Sequence, residues 1–335
     1  MRLAILAHEK FPDRSKTAVG LLRYTEHEVV AVLDRAHAGD RVTDHVPDVQ
    51  DAPVVDGIDD VPDIDALVVG IAPIGGGFDE SWRGDVRGAL ERGAEVWSGL
   101  HYFLADDEEF ATLAEDHDTR LWDVRDPPDD LTVADGVARD LDATVVTTVG
   151  SDCSTGKMTA TCELVEAARE RGLDAGFVPT GQTGIMIEGW GLPVDRTISD
   201  FTAGAVERML VERAEEYDYL FVEGQGAITH PAYSAVTCGI LHGSMPDALV
   251  YCHEAGRSAV HGYESFSIPD VGEHASLYEA LAEPVHPTSV VAGALDTSSL
   301  DERAARDAVD EFSAALDAPA TDVVRYGCAE VLDAL

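Results

Sequence analysis

The amino-acid sequence predicts two consecutive α/β domains, each a parallel sheet covered by helices. Three observations predict it. The chain has 335 residues, a length that fits two domains. Short β-branched runs alternate with helical patterns in both halves. The alternation breaks once, in VRDPPDDLTVADG, where paired prolines and acids interrupt the periodicity. The expected division is therefore an N-terminal domain at residues 1–128, a linker at 129–140 and a C-terminal domain at 141–335.

In the first part RLAILAH, EVVAVLD and ALVVGIAP read as strands, and SWRGDVRGALERG as a helix that stops at Gly93 before the strand AEVWSGL. GIAPIGGGF follows a strand but lacks the full dinucleotide fingerprint, so it reads first as a tight turn. The second part opens with ATVVTTVG and a helix, then AGFVPTGQTG, then a helix through SDFTAGAVERMLVERAEEY. DYLFVEGQG, ALVYCHEAGR and SVVAGALDT are the later strands, and SLDERAARDAVDEFSAAL is the closing helix. The pattern predicts a parallel sheet covered on both faces, followed by a second α/β domain.

Composition narrows the class. Acidic residues number 64 against 23 basic ones, a formal net charge of -41 spread along the whole chain. Such a surface suits a concentrated-salt cytoplasm, where the screening length shrinks to about 3 Å at 1 M. It leaves no basic stripe to meet phosphates, so nucleic-acid binding is not expected. No apolar run approaches the roughly eighteen residues of a membrane span. The start MRLAILAHEK is too short for a signal peptide, so a cytoplasmic location is expected. Five scattered cysteines without C-x-x-C or Cys/His spacing predict neither disulfides nor structural metal. Lysine occurs only at Lys10, Lys16 and Lys157, so a lysine kept inside a Gly/Ser loop does something arginine cannot. A homo-oligomer is compatible with the sequence, which fixes no order for it.

That loop is VGSDCSTGKMT. A phosphate cradle needs inward backbone N–H groups, a helix N-terminus and a lysine, and Gly150, Gly156 and Lys157 supply them between a strand and a helix. The site expected from it comprises Gly150, Ser151, Asp152, Cys153, Ser154, Thr155, Gly156, Lys157, Met158 and Thr159. Its spacing is one residue longer than G-x-x-x-x-G-K-[ST] and is similar to the loops of dethiobiotin synthetase and related P-loop amidoligases. Met158 stands where a hydroxyl normally meets Mg²⁺, and Thr159 lies about 100° further round the helix. Ser151, Ser154 or Thr155 would have to replace it.

Other constellations fall at strand ends, where open parallel sheets bind ligands. In DYLFVEGQGAITHPAYS, Glu223 stands where an acid orients Mg²⁺ or water, with His230 and Tyr233 close behind. Gln182 and Thr183, between two glycines, offer donors and acceptors to a substrate amide or carboxylate. Asp195 and Asp200 can orient an amine, and Asp200 is also a natural helix cap. CHEAGR brings His253, Glu254 and Arg257 together, with Arg257 a candidate carboxylate fork.

These blocks together, with PTGQTGIMIEGWGLPVDRTISDF, ATDVVRYG and LWDVRDPP, resemble the D-glutamate N-acetyltransferase-like family, long catalogued as a domain of unknown function. The resemblance covers most of the second domain and reaches into the first. It implies a Rossmann-like N-terminal domain, a P-loop NTPase-like C-terminal domain, and acetyl transfer from acetyl-CoA to the amino group of D-glutamate. This chain departs from the pattern in GSDCST, where Thr and Ala or Val are expected, and at Asp296, where Asn is expected.

On that basis Gly150 to Lys157 would hold the phosphates of acetyl-CoA, and Glu223 or His230 would be the base. Gln182, Thr183, Asp195, Asp200, Tyr233 and Arg257 would face the substrate. Direct attack in a ternary complex is the expected route, and Cys153 keeps a covalent one open. The rival readings are an ATP/Mg²⁺-dependent ligase or kinase of the dethiobiotin-synthetase kind, with Glu223 as metal ligand, and a nucleotide-binding regulatory protein. A dehydrogenase is disfavoured by the missing fingerprint.

Overall fold

β-Branched runs become strands wherever helices can cover both faces. The computed structural model describes residues 1–73 and 75–335, so Ile74 of the GIAPIGGGF stretch lies outside the described residues. Among them the first sheet contains β1 (Arg2–Leu6), β2 (Glu28–Leu33), β3 (Val54–Val55), β4 (Ala66–Val69), β5 (Glu95–Ser98) and β6 (Leu121–Asp123). Every pairing is parallel, in the order β3-β2-β1-β4-β5-β6. That is the strand order of Rossmann folds. Its helices include α1 (Lys16–Tyr24), α2 (Arg83–Glu91) and α3 (Glu108–Asp116). The Asp107 carboxylate caps α3 by accepting from the N–H groups of Glu109 and Phe110.

The second sheet is built from β7 (Thr144–Gly150), β8 (Ala175–Val178), β9 (Tyr219–Val222), β10 (Ala248–Glu254), β13 (Ser289–Asp296) and β14 (Ala320–Thr321). It is parallel throughout, in the order β14-β13-β10-β7-β9-β8. β11 (Ala259–Val260) and β12 (Tyr263–Ser267) form a separate antiparallel hairpin. Helices α4 (Lys157–Glu170), α5 (Gln182–Glu188), α6 (Thr202–Arg213), α7 (Ser234–Ser244), α8 (Val271–Ala282), α9 (Glu302–Leu316) and α10 (Ala329–Leu332) complete the second half of the chain. Among the described residues no helix is long and apolar enough to cross a membrane.

The chain divides into two compact units, and the division is not a single cut. One unit holds Met1–Pro127 together with Gln182–Pro193; the other holds Pro128–Gly181 and Val194–Leu335. Ile185 and Met186 of α5 are buried in the apolar core of the first unit. Thr17 and Thr183 share a hydrogen bond of 2.8 Å, and Arg125 Nη2 donates to Gln182 Oε1 at 2.9 Å. A Cβ at Gly99, just past β5, would overlap the stem of Gln182. The expected linker is not a tether either: Glu207 of α6 accepts from the backbone N–H groups of Asp135 (2.6 Å) and Val137 (2.7 Å), and Pro128 onward belongs to the second unit. A buried carboxylate that takes two backbone donors fixes the segment in place.

Candidate functional site

β7 delivers the chain to the loop Ser151–Gly156, and α4 begins at Lys157. Ser154 and Gly156 lie at positive φ, 55° and 83°. Alternation of this kind turns successive N–H groups to one side and makes an anion nest, which glycine tolerates at Gly156. Lys157 is 6% exposed. Its Nζ donates to the carbonyl oxygen of Asp152 at 2.6 Å and to Thr155 Oγ1 at 3.4 Å. A Cβ at Gly150 would lie 3.3 Å from that Nζ and closer still to Thr155 Oγ1 and the Cys252 carbonyl, so the lysine folds back over a position kept small. No acidic residue occupies the first turn of α4. The N-terminal end of α4 therefore keeps its positive field for a ligand.

Asp152 is fully buried and locks the loop from below. Its carboxylate accepts from the N–H of Cys153 (2.7 Å), the N–H of His261 (2.7 Å) and Arg257 Nη1 (3.3 Å). Arg257 also donates to the Cys153 carbonyl at 2.7 Å and pairs with Glu254. The predicted carboxylate fork is thus engaged with the protein's own loop. Ser151 Oγ lies 2.7 Å from His253 Nδ1. Burial, then the nearby Arg257 charge, pushes His253 down to about 4, so the imidazole is neutral at physiological pH.

Glu223 follows β9 and is 7% exposed. Its Oε2 accepts from the backbone N–H groups of Thr180 (3.2 Å) and Gly181 (3.1 Å), and Thr180 Oγ1 donates to the Glu223 carbonyl at 2.7 Å. Glu223 therefore holds the turn that follows β8. Gly224 must be glycine, because a Cβ there would overlap the Thr148 carbonyl and touch the Lys157 stem. Its N–H donates to Thr148 Oγ1 at 2.9 Å, which places the Glu223 turn directly against the lysine.

His230 is 2% exposed and precedes α7. Its Nδ1 accepts from the N–H groups of Ala232 (3.0 Å) and Tyr233 (3.2 Å). Two backbone donors on Nδ1 leave the ring proton on Nε2, which stands 3.8 Å from Asp152 Oδ1. Burial shifts this histidine down, toward the neutral form, against the opposing pull of Asp152. Tyr233, 48% exposed, lies tilted beside the ring at 4.6 Å between centroids, and Tyr263 of the hairpin meets it edge-on at 5.3 Å. Asp152, Cys153 and His230 bring ligand-type atoms within 4.8 Å of one another. An imidazole protonated on Nε2 offers no lone pair there, so this cluster does not fit a cation in this arrangement.

The structure thus brings Gly150–Thr159, Glu223, His230, Tyr233 and Arg257 to the C-terminal ends of β7, β9 and β10. Met158 and Thr159 are half-buried on the first turn of α4. Gln182 and Thr183 belong instead to the first unit, where both side chains bond within that unit. Asp195 is half-buried in the 3-10 turn Val194–Arg196. Asp200 is exposed in the next turn, Ser199–Phe201, and does not cap α6, whose preceding residue is Phe201. Sequence reasoning missed a buried support behind the loop. Tyr278 of α8 donates to the Gly150 carbonyl (2.7 Å) and accepts from the N–H of Ile228 (3.2 Å). His274 bridges Tyr251 OH (2.9 Å) and Thr229 Oγ1 (3.1 Å). Both residues sit at helical spacing on an apolar stripe, and nothing in the sequence separates them from core.

Fold and site together define a two-domain α/β protein, Rossmann-like then P-loop-like, with the loop Ser151–Gly156 at the C-terminal end of β7 in its second sheet. The chain belongs to the DUF1611 family. Residues 35–127 match its Rossmann-like domain (DUF1611_N) and residues 132–332 its P-loop domain (DUF1611_C), both described as domains of unknown function. The crystal structure of a DUF1611 family protein from Anabaena variabilis is 39% identical, with a TM-score of 0.94 over 99% of this chain and 98% of that one. A D-glutamate N-acetyltransferase of Tritonibacter scottomollicae is 36% identical over 270 residues, 80% of each chain. Another of that name, from a Pseudoalteromonas species, is 36% identical over 262 residues, 78% of each.

Proposed function

We propose that this chain transfers an acetyl group from acetyl-CoA to the amino group of D-glutamate or a similar amino acid. The observation that carries the reading is a complete phosphate cradle whose lysine is followed by Met158, set beside relatives named for that reaction. CoA carries a pyrophosphate and a 3′-phosphate that suit the nest, the α4 N-terminus and Lys157. Acyl transfer makes no demand for the Mg²⁺ that a hydroxyl at position 158 would hold.

Within this reading, Lys157 leaves the Asp152 carbonyl to meet a donor phosphate. Of the two candidate bases, His230 keeps its Nδ1 lone pair on backbone donors. Glu223 is the carboxylate beside the loop, and the proposal gives it the substrate ammonium. Backbone N–H groups of a glycine turn outside the phosphate-holding loop would stabilise the oxyanion of the attacked thioester.

The test is to incubate the purified protein in concentrated KCl with acetyl-CoA, a chelator and either D- or L-glutamate. Mass spectrometry then follows N-acetylglutamate and free CoA. Product from the D-form without metal supports the reading. No product from either form, with tight binding of ATP and Mg²⁺, would replace it with the ligase reading.

A further inference from the structure

The buried face of α8 carries two polar side chains one helical turn apart, His274 and Tyr278, both 0% exposed. Polar groups on such a face cost stability unless partners meet them. Tyr278 OH donates to the Gly150 carbonyl at 2.7 Å and accepts from the N–H of Ile228 at 3.2 Å. His274 reaches Thr229 Oγ1 at 3.1 Å on one side and Tyr251 OH at 2.9 Å on the other. One turn of α8 thus grips two consecutive residues of the segment that leads to His230, together with the last residue of β7.

We propose that Tyr278 and His274 are positioning residues, which hold the Gly150 peptide and the segment before His230 in the arrangement that lets the loop accept a phosphate. This rests on the phosphate reading of the loop and deepens it. It applies equally whether the phosphates belong to CoA or to ATP. Tyr278 acts through backbone groups, and His274 through the hydroxyls of Thr229 and Tyr251.

Gly150 is where strand gives way to nest. A side chain is excluded there, since a Cβ would come within 2.8 Å of Thr155 Oγ1 and 2.9 Å of the Cys252 carbonyl. Glycine by itself does little to fix the direction in which the chain leaves a strand. Bonds at both ends of the Gly150–Ser151 peptide fix it instead: the carbonyl accepts from Tyr278 OH, and the Ser151 N–H donates to the Cys252 carbonyl at 3.0 Å. Burial pushes the Tyr278 phenol far above its ordinary range, so its proton stays available to the carbonyl. Burial also pushes His274 down to about 4, which keeps the ring neutral, with one N–H to give and one lone pair to accept. Tyr278→Phe would keep the ring's packing and leave a buried carbonyl and a buried N–H without their partner.

The experiment titrates CoA, and separately ATP with Mg²⁺, into the full chain and its variants in concentrated KCl. Tyr278→Phe should weaken the phosphate ligand that the parent binds by about tenfold. In the acetylation assay the same loss should appear in KM for CoA, with kcat and KM for the amino acid within about twofold of the parent. His274→Leu should weaken binding in the same direction, and His274→Gln, whose amide keeps a donor and an acceptor, should recover most of the affinity. Leu316→Ala controls for lost packing, because Leu316 belongs to the same apolar cluster and adds no side-chain hydrogen bond to it. That variant should melt earlier than the parent and bind the ligand unchanged. Affinity unchanged in Tyr278→Phe, or weakened no more than in Leu316→Ala, would overturn the positioning role and leave the phosphate reading standing. A parent that binds neither CoA nor ATP would bring down the phosphate reading itself, and the positioning role with it.

Discussion

After β1 the chain runs through Ala7–Ser15 into α1; after β7 it runs through Ser151–Gly156 into α4. Both helices start on a lysine, Lys16 and Lys157, with no acid in the first turn. In a chain with 64 acids and three lysines that coincidence is a local break with helix electrostatics. The two lysines then differ completely in setting. Lys16 is exposed, while Lys157 is buried and folded onto the Asp152 carbonyl. The first loop is closed by the protein itself: Ala18 N–H donates to the Gly70 carbonyl, and Thr17 pairs with Thr183 from α5. The second keeps Gly150 and Gly156 and a nest of N–H groups. A shared sheet plan therefore does not make a shared site. In the first unit side chains of α5 pack at the loop-bearing edge; in the second that space is kept by glycine.

The comparison can be broken at its strongest point with Lys157→Ala, which should reduce acetyl transfer by about 10²- to 10³-fold. Lys16→Ala should change it little, and steady-state kinetics on both variants decide whether burial or mere position makes the lysine functional. Next in size is Gly224→Ala. The new methyl group would overlap the Thr148 carbonyl, so a loss of ~3 kcal/mol is expected in a denaturant melt.

Acid should weaken the second unit through His274 and, less strongly, half-buried His253. Burial pushes both down to about 4 from the ordinary histidine value of 6.5. The unfolded chain therefore binds more protons between those values, and stability rises with pH across that window. The contribution is fully present above about 6.5 and is lost as pH falls through about 4. For fully buried His274 it is worth roughly 3 kcal/mol. His274→Gln should flatten that part of the stability profile relative to the parent, measured as the difference between their melts. The smallest effect belongs to the first unit. Gly84 sits in α2 with open space around it, and Gly84→Ala should stabilise by up to about 1 kcal/mol.

Much of this arrangement was legible beforehand, because strand periodicity and loop chemistry are local. β1, β2, β4, β5, β7, β8, β9, β10 and β13 fall where apolar runs predict them, the short β3, β6 and β14 were not read, and the loop at Gly150–Lys157 joins a strand to a helix as its residue types require. What was not legible is long-range. α5 follows β8 directly in the sequence, yet Ile185 and Met186 pack into the core of the first unit. Only their apolar character, shared with any core residue, hinted at a partner. Residues 129–140 read as a linker from Pro and Asp content, but the carboxylate that pins them is Glu207, 72 positions beyond Asp135. His230 was marked as an acid/base candidate from its residue type and its place shortly after a strand end, beside Glu223 and Tyr233. Its tautomer depends on the N–H groups of Ala232 and Tyr233, which only the turn before α7 brings to Nδ1.

The central claim is that the second unit's loop holds CoA through Lys157 without metal. Calorimetric titration of CoA into chelator-treated protein in concentrated KCl, repeated with Lys157→Ala, tests it directly. Saturable binding by the parent that is lost in the variant is the predicted result. CoA binding unchanged in Lys157→Ala, or absent while ATP binds only with Mg²⁺, would contradict it.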